Sequence, residues 1–206
     1  MDGRLRSPRL PESFSGRLVL IAAVGVAIRL AHLILIAADN QLSGDAAAYH
    51  LSANLFADGL GFPEPLRHLF GASEQILRNG ETLTVTTPIG HLEPTAGHPP
   101  GWTVILGVLA FLGATTVGQQ QAASILLGIP SIVLAGLLGR ELRSERLGLI
   151  AAGLTAGYAF IWVNDGLLVA ETAAIAAAAG TMLVGLRFSR DPTRRQALLF
   201  GIVGGL

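Results

Sequence analysis

The sequence predicts an all-α, polytopic transmembrane bundle with a long extracytoplasmic first loop that carries juxtamembrane helices. Three observations lead there. Apolar residues make up 51% of the 206-residue chain and charged residues only 14%, a balance too apolar for an ordinary soluble domain. The apolar residues gather into runs of membrane-crossing length. Arginines concentrate in the short segments between the later runs, where cytoplasmic loops carry their charge.

Taken in order, residues 1–17 hold Arg4, Arg6, Arg9 and Arg17 with Pro8 and Pro11 and read as a basic cytoplasmic tail. Residues 18–38 form the first span. It lacks an obvious cleavage site and is long for a signal peptide. Arg29 lies inside it and must face other helices or snorkel. Residues 39–121 form the outer loop, rich in acids, histidines and turn formers. Within it, 46–57 reads as a short helix and 83–87 as an extended piece. The run 102–117 is either a span or a helix at the outer surface. Charge bias selects the second: a juxtamembrane or re-entrant helix leaves Arg140, Arg143 and Arg146, and later Arg187, Arg190, Arg194 and Arg195, on the side of the basic tail. Further spans follow at 122–139, 147–163 and 167–186, with an incomplete one at 197–206. Asp165 is placed to cap the fourth span. Glu171 is then six residues on, about 9 Å along the axis, on the same outer side as Asp45. The last run stops short of a full crossing, so the chain reads as the front portion of a longer protein.

Some functions are set aside by composition. Net charge is zero and there is no cysteine, so neither a bulk basic field for nucleic acid nor a thiolate metal site is present. No Gly-rich phosphate loop follows a strand. His68, His91, Glu74 and Glu93 lack metal-ligand spacing. Asp45 stands out because a carboxylate at the outlet of a membrane helix is kept at a cost, and Tyr49 and His50 follow it closely.

Four pieces carry a family resemblance in order. They are Arg29 in the first span; GDAAAYHLSANLFADGLGF from Gly44; PTAGHPPGWTVILGVLAFLG from Pro94; and the run LLGRELRSERLGLIAAGLTAGYAFIWVNDGLLVAET that ends after Glu171. Together, over about residues 17–190, they resemble the GT-C superfamily of membrane glycosyltransferases. Within it they are most similar to the family 39 group of protein O-mannosyltransferases and aminoarabinose transferases. The resemblance implies transfer of a sugar from a polyprenyl-phosphate carrier to an acceptor outside the plasma membrane. It implies catalytic roles for Asp45 and Glu171, and it sets His98 where relatives carry a basic residue before Pro-Pro. Gly97, Ala159 and the Ala after Asp45 depart from the family pattern and leave any metal open.

Such a transfer needs a base for the acceptor's proton and a group to balance charge on the departing phosphate. Asp45 is the expected base; the alternative is a helix cap. Glu171 orients the acceptor, helps hold a divalent cation, or pairs with Arg29. Tyr49 and His50 are candidates for the sugar pocket, and His98, Arg67 and Arg78 for the phosphate. The expected partners are a lipid-linked sugar donor and membrane lipids, with no nucleic acid. Two other classes remain: a transporter or flippase-like protein, whose acids belong near the bilayer midplane, and a non-catalytic lipid-binding subunit.

Overall fold

A computed structural model describes residues 13–37, 42, 44–95 and 97–205; most of the expected basic tail, residues 1–12, lies outside the described residues. The chain is mainly helical, and three helices are long and apolar enough to cross a membrane, which marks it as a membrane protein. They are Phe14–Ala37, Val117–Leu142 and Glu171–Arg190. The chain divides into two compact units, one of Met1–His32, Ile125–Val163 and Thr172–Leu206, the other of Leu33–Ser124 and Asn164–Glu171.

The first unit is built on α1 (Phe14–His32), α6 (Ile129–Leu142) and α7 (Glu145–Gly157). Phe14, Leu18, Ala22, Ile132, Ala152 and Ala156 form its core. In a bilayer, lipid is as apolar as leucine, so helices associate through close packing of small residues. The α6–α7 pair shows this directly. A Cβ at Gly139 would lie 3.0 Å from the Gly148 Cα, and a Cβ at Gly148 would overlap the Gly136 carbonyl oxygen. Arg29 is buried on α1 and donates through Nη1 to the carbonyls of Gly25, at 3.0 Å, and Ala156, at 3.2 Å. It therefore faces the bundle, as a charge at that depth must.

Two predicted spans are reshaped. The second begins at Val117, not 122, and runs as α5 (Val117–Leu127) into α6 with a break at Gly128. Pro130 has no N–H to continue the ladder; the buried Ser131 hydroxyl donates to the Gly128 carbonyl at 2.6 Å. The third span bends by 58° between α7 and α8 (Ala159–Asp165). No proline makes this bend: Tyr158 is extended, and the Trp162 indole donates to the Gly157 carbonyl at 3.1 Å. The fourth helix, α9 (Glu171–Arg190), starts four residues later than expected. Asp165 ends α8 and is buried, and α9 begins six residues after it, so it is not at the N-cap position of α9. The last helix, α10 (Arg194–Gly204), is capped by Thr193, whose Oγ1 accepts from Gln196 N.

The basic clusters share one end of this unit. Arg140 pairs with Glu145 at 3.1 Å and stacks over the Phe14 ring at 4.7 Å. Glu141, near the end of α6, pairs with Arg187 and Arg190 of α9 at 3.6 and 3.1 Å.

The second unit contains α2 (Asp45–Ala57), α3 (Pro65–Phe70), the antiparallel hairpin β1 (Ala72–Arg78) and β2 (Glu81–Thr87), α4 (Pro100–Phe111) and the start of α5. Twelve residues make α4 about 18 Å long, short of the roughly 30 Å hydrocarbon core, so it cannot cross as a single helix. It packs tightly on α2: a Cβ at Gly107 would lie 2.5 Å from the Phe56 ring. The expected extended piece at 83–87 is the second half of a hairpin whose turn, Asn79-Gly80, has positive φ at both residues, as a type I′ turn requires.

Overpacking at the α6–α7 contact should cost about 1–3 kcal/mol, so Gly148→Ala should unfold at a lower temperature than wild type in detergent. Because the chain has no cysteine, Arg143→Cys and Ser189→Cys can be labelled singly. An impermeant maleimide should reach both from the same side of the membrane; labelling from opposite sides contradicts the shared basic end.

Candidate functional site

The site is assembled on the second unit, starting from Gly44. Its φ of 56° and ψ of −133° is a conformation essentially confined to glycine. This turn sets Asp45 as the first residue of α2, where a carboxylate complements the helix dipole. The Asp45 side chain is 72% exposed. Tyr49, one turn on, is buried.

The chain returns to Asp45 through the loop after the hairpin. Glu64 N donates to the Glu93 carbonyl at 2.8 Å and Thr95 N to the Phe62 carbonyl at 3.0 Å, around a Pro63–Pro94 bridge. These bonds aim the His98-Pro99-Pro100 segment back at α2. His98 then stands with Nε2 3.9 Å from Asp45 Oδ1 and its ring 4.9 Å from the Tyr49 ring. A cavity of about 90 Å³ opens beside it, with Ser52, Glu64, Thr95 and Thr103 among its lining.

Glu171 reaches the same neighbourhood through the segment Asn164–Glu171. Trp102, buried on α4, donates its indole N–H to the Leu168 carbonyl at 3.0 Å, and Gln121 of α5 donates to the Gly166 carbonyl at 2.9 Å. Leu168 is fully buried with a φ of 57°, a left-handed conformation that costs a non-glycine residue roughly 1–2 kcal/mol. The segment is thus held out of helical geometry, and Glu171 becomes the first residue of α9 instead of lying a turn or more inside it. Its carboxylate and that of Asp45 both act on Tyr49. Burial first, then Asp45, then Glu171 push the Tyr49 phenol above its ordinary pKa. Tyr49 therefore keeps its proton to higher pH than an ordinary phenol does.

Three other sequence candidates sit elsewhere. His50 points to α5: Nδ1 donates to Gln120 Oε1 at 2.9 Å, and Nε2 accepts from Asn54 at 3.5 Å. It ties helices together because neighbouring positions on a helix face about 100° apart. Arg67 pairs with Glu93 at 2.9 Å and with Glu74, so its charge is balanced within the α3–hairpin region. Arg78 ends β1 at the hairpin tip, opposite Glu81. Neither arginine contacts Asp45, Tyr49 or His98 among the described residues. Among the described residues no three His, Asp or Glu side chains gather as metal ligands would. Trp102, Gln121 and Leu168 were not among the sequence candidates; the one local hint was an indole directly after Pro-Pro-Gly.

No family model, no curated protein and no solved structure matches the chain.

With Tyr158→Phe as background, Tyr49 is the sole tyrosine, and its ionisation can be followed at ultraviolet wavelengths. Its midpoint should lie above about 10. Because the folded pKa is raised, the associated stability is present below that value and is lost as pH climbs through the folded one. Asp45→Asn with Glu171→Gln should lower the midpoint. Trp102→Phe, which strands the Leu168 carbonyl at a cost of about 1–3 kcal/mol, should lower it as well; an unmoved midpoint would show that the acids do not act on Tyr49.

Proposed function

We propose that the chain acts in sugar transfer from a polyprenyl-phosphate carrier at the extracytoplasmic face of a membrane, in the manner of GT-C glycosyltransferases. The observation that supports this reading is the grouping of an exposed carboxylate, an imidazole and a protonated phenol at Asp45, His98 and Tyr49, with Glu171 acting on the same phenol. In this reading Asp45 takes the proton of the acceptor hydroxyl as that oxygen bonds to the sugar's anomeric carbon. The bond from that carbon to the phosphate oxygen breaks, and the phosphate leaves on its lipid. His98 and the Tyr49 hydroxyl donate hydrogen bonds to the departing phosphate. Glu171 holds the acceptor. The half-exposed His98, with a small cavity beside it, favours a polar group reaching the imidazole from outside over a permeating ion.

Arginine bias argues for orientation. The three guanidinium groups that meet Glu141 and Glu145 lie at one end of the first unit, and basic ends favour the cytoplasm. The chain passes into the second unit at Leu33, just after α1, and in this reading the protein lies in the plasma membrane with Asp45 outside.

The test uses membranes bearing the full chain with polyprenyl-phosphate mannose or polyprenyl-phosphate aminoarabinose, and follows release of polyprenyl phosphate. Wild type should release it from at least one donor. Asp45→Asn should lower the rate by about 10²–10⁴, the usual contribution of a general base. Release that survives Asp45→Asn intact, or no release from either donor, counts against the proposal.

A further inference from the structure

The hairpin of β1 and β2 has two open edges. Every residue from Ser73 to Thr86 is exposed. Among the described residues no backbone hydrogen bond outside the ladder reaches this stretch. A two-stranded hairpin is marginal by itself in water and is stabilised by further strands.

The two edges differ in what they offer. The two-residue turn makes Arg78 and Glu81 a hydrogen-bonded pair, and by alternation Ile76 with Leu83 and Glu74 with Val85 are hydrogen-bonded pairs as well. Gln75 and Leu77 therefore turn their N–H and C=O groups outward from β1, as Thr82, Thr84 and Thr86 do from β2. Glu81 is the one charged residue on β2. On β1, Glu74, Ile76 and Arg78 share one face, with an acid and a cation placed evenly about the isoleucine. A second β1 laid antiparallel and centred on Ile76 sets Glu74 of each copy against Arg78 of the other. It also sets Gln75 against Leu77, so the outward N–H and C=O groups of the two copies meet.

The charges around β1 are suited to this. Arg67 is shared between Glu74 and Glu93, so a second cation near Glu74 meets a surplus of carboxylate. Among the described residues Arg78 makes no ion pair. We infer that the β1 edge binds a second copy of this chain, forming a four-stranded sheet in the order β2, β1, β1, β2. The sheet then carries Ile76, Leu83 and Val85 of both copies on one face, side chains that are 41–46% exposed on a single hairpin. Like pairing through β2 brings no opposite charges together. The inference is independent of the sugar-transfer reading, since none of these residues belongs to the Asp45 site.

The chain has no cysteine, so single cysteines test the pairing in membranes bearing the full chain. In this register the two copies of residue 76 form a non-hydrogen-bonded pair, about 4.5 Å apart at Cα and within disulfide reach. Ile76→Cys should give a disulfide-linked dimer under mild oxidant. Thr84→Cys, also exposed, should not, because the two β2 strands lie three strand spacings apart, about 14 Å. Adding Arg78→Glu to Ile76→Cys should lower the dimer yield about fivefold, since Glu74 then faces a like charge. Glu74→Arg should do the same. Chains bearing the two changes, expressed together, should cross-link to one another, because each supplies the charge that the other lacks. Absence of a dimer at position 76, equal cross-linking at 76 and 84, or no recovery in the mixed pair would overturn the inference.

Discussion

Two backbone carbonyls decide where Glu171 lies. Gly166 and Leu168 would point their carbonyls along a helix axis if α9 began where its apolar sequence invites it to begin. Instead Gln121 and Trp102 draw those oxygens into the second unit. A buried carbonyl without a donor is expensive, so the indole and amide N–H groups and the displaced turn hold one another in place. The left-handed Leu168 is the cost of that arrangement. Full burial of its side chain, worth about 1.5–3 kcal/mol, offsets the strain, and glycine at 168 would relieve the strain only by giving up the burial.

The arginine end is governed by a different balance. Its guanidinium groups have acidic or aromatic neighbours at short range: Arg140 has Glu145 and Phe14, and Arg187 and Arg190 have Glu141. Exposed pairs of this kind contribute little to stability. Their effect is to link α6 to α7 and to α9 at that end: glutamates take up Arg140, Arg187 and Arg190. Along α7 the same residue type serves opposite ends. Gly148 admits the α6 backbone, whereas Gly153 and Gly157 admit nothing from the protein.

Much of the architecture could be read from residue pattern. The first span, the helix after Gly44, the short helix after Pro-Pro and the basic loops all follow from apolar run length, turn residues and arginine placement. What escaped has a common cause. Leu167-Leu168-Val169-Ala170 is apolar and reads as helix, yet its conformation is set by Trp102 and Gln121, more than forty residues away in sequence. The same holds at the site. Arg67 reads as a candidate for the phosphate because Glu93 is distant in the chain, and the pairing around the Pro63–Pro94 bridge brings the two together. His50 sits beside Tyr49 in sequence but about 100° around the helix from it, facing Gln120. Asp45, Tyr49, His98 and Glu171 were legible as residue types in suggestive places; their relation through the Tyr49 hydroxyl was not, since it depends on where a strained turn stops.

The two acids share a device that bears on their role. Each opens a helix, and each follows closely on a residue with positive φ, Gly44 at 56° and Leu168 at 57°. A carboxylate whose only task was to complement a helix dipole would need neither turn, because Ser, Thr or Asn in ordinary extended geometry caps equally well. At Thr193 and Ser144 the chain uses that ordinary solution. At Asp45 and Glu171 it does not. Strained backbone survives where the surroundings over-determine it, and it concentrates where positioning matters. Here its outcome is specific: two carboxylates, one of them openly solvated, add to burial in raising the pKa of a single phenol. Charge held close to a neutral donor in this way can receive a proton on one side while the donor gives a hydrogen bond on the other, the pairing that the proposed replacement of phosphate by a hydroxyl oxygen would use.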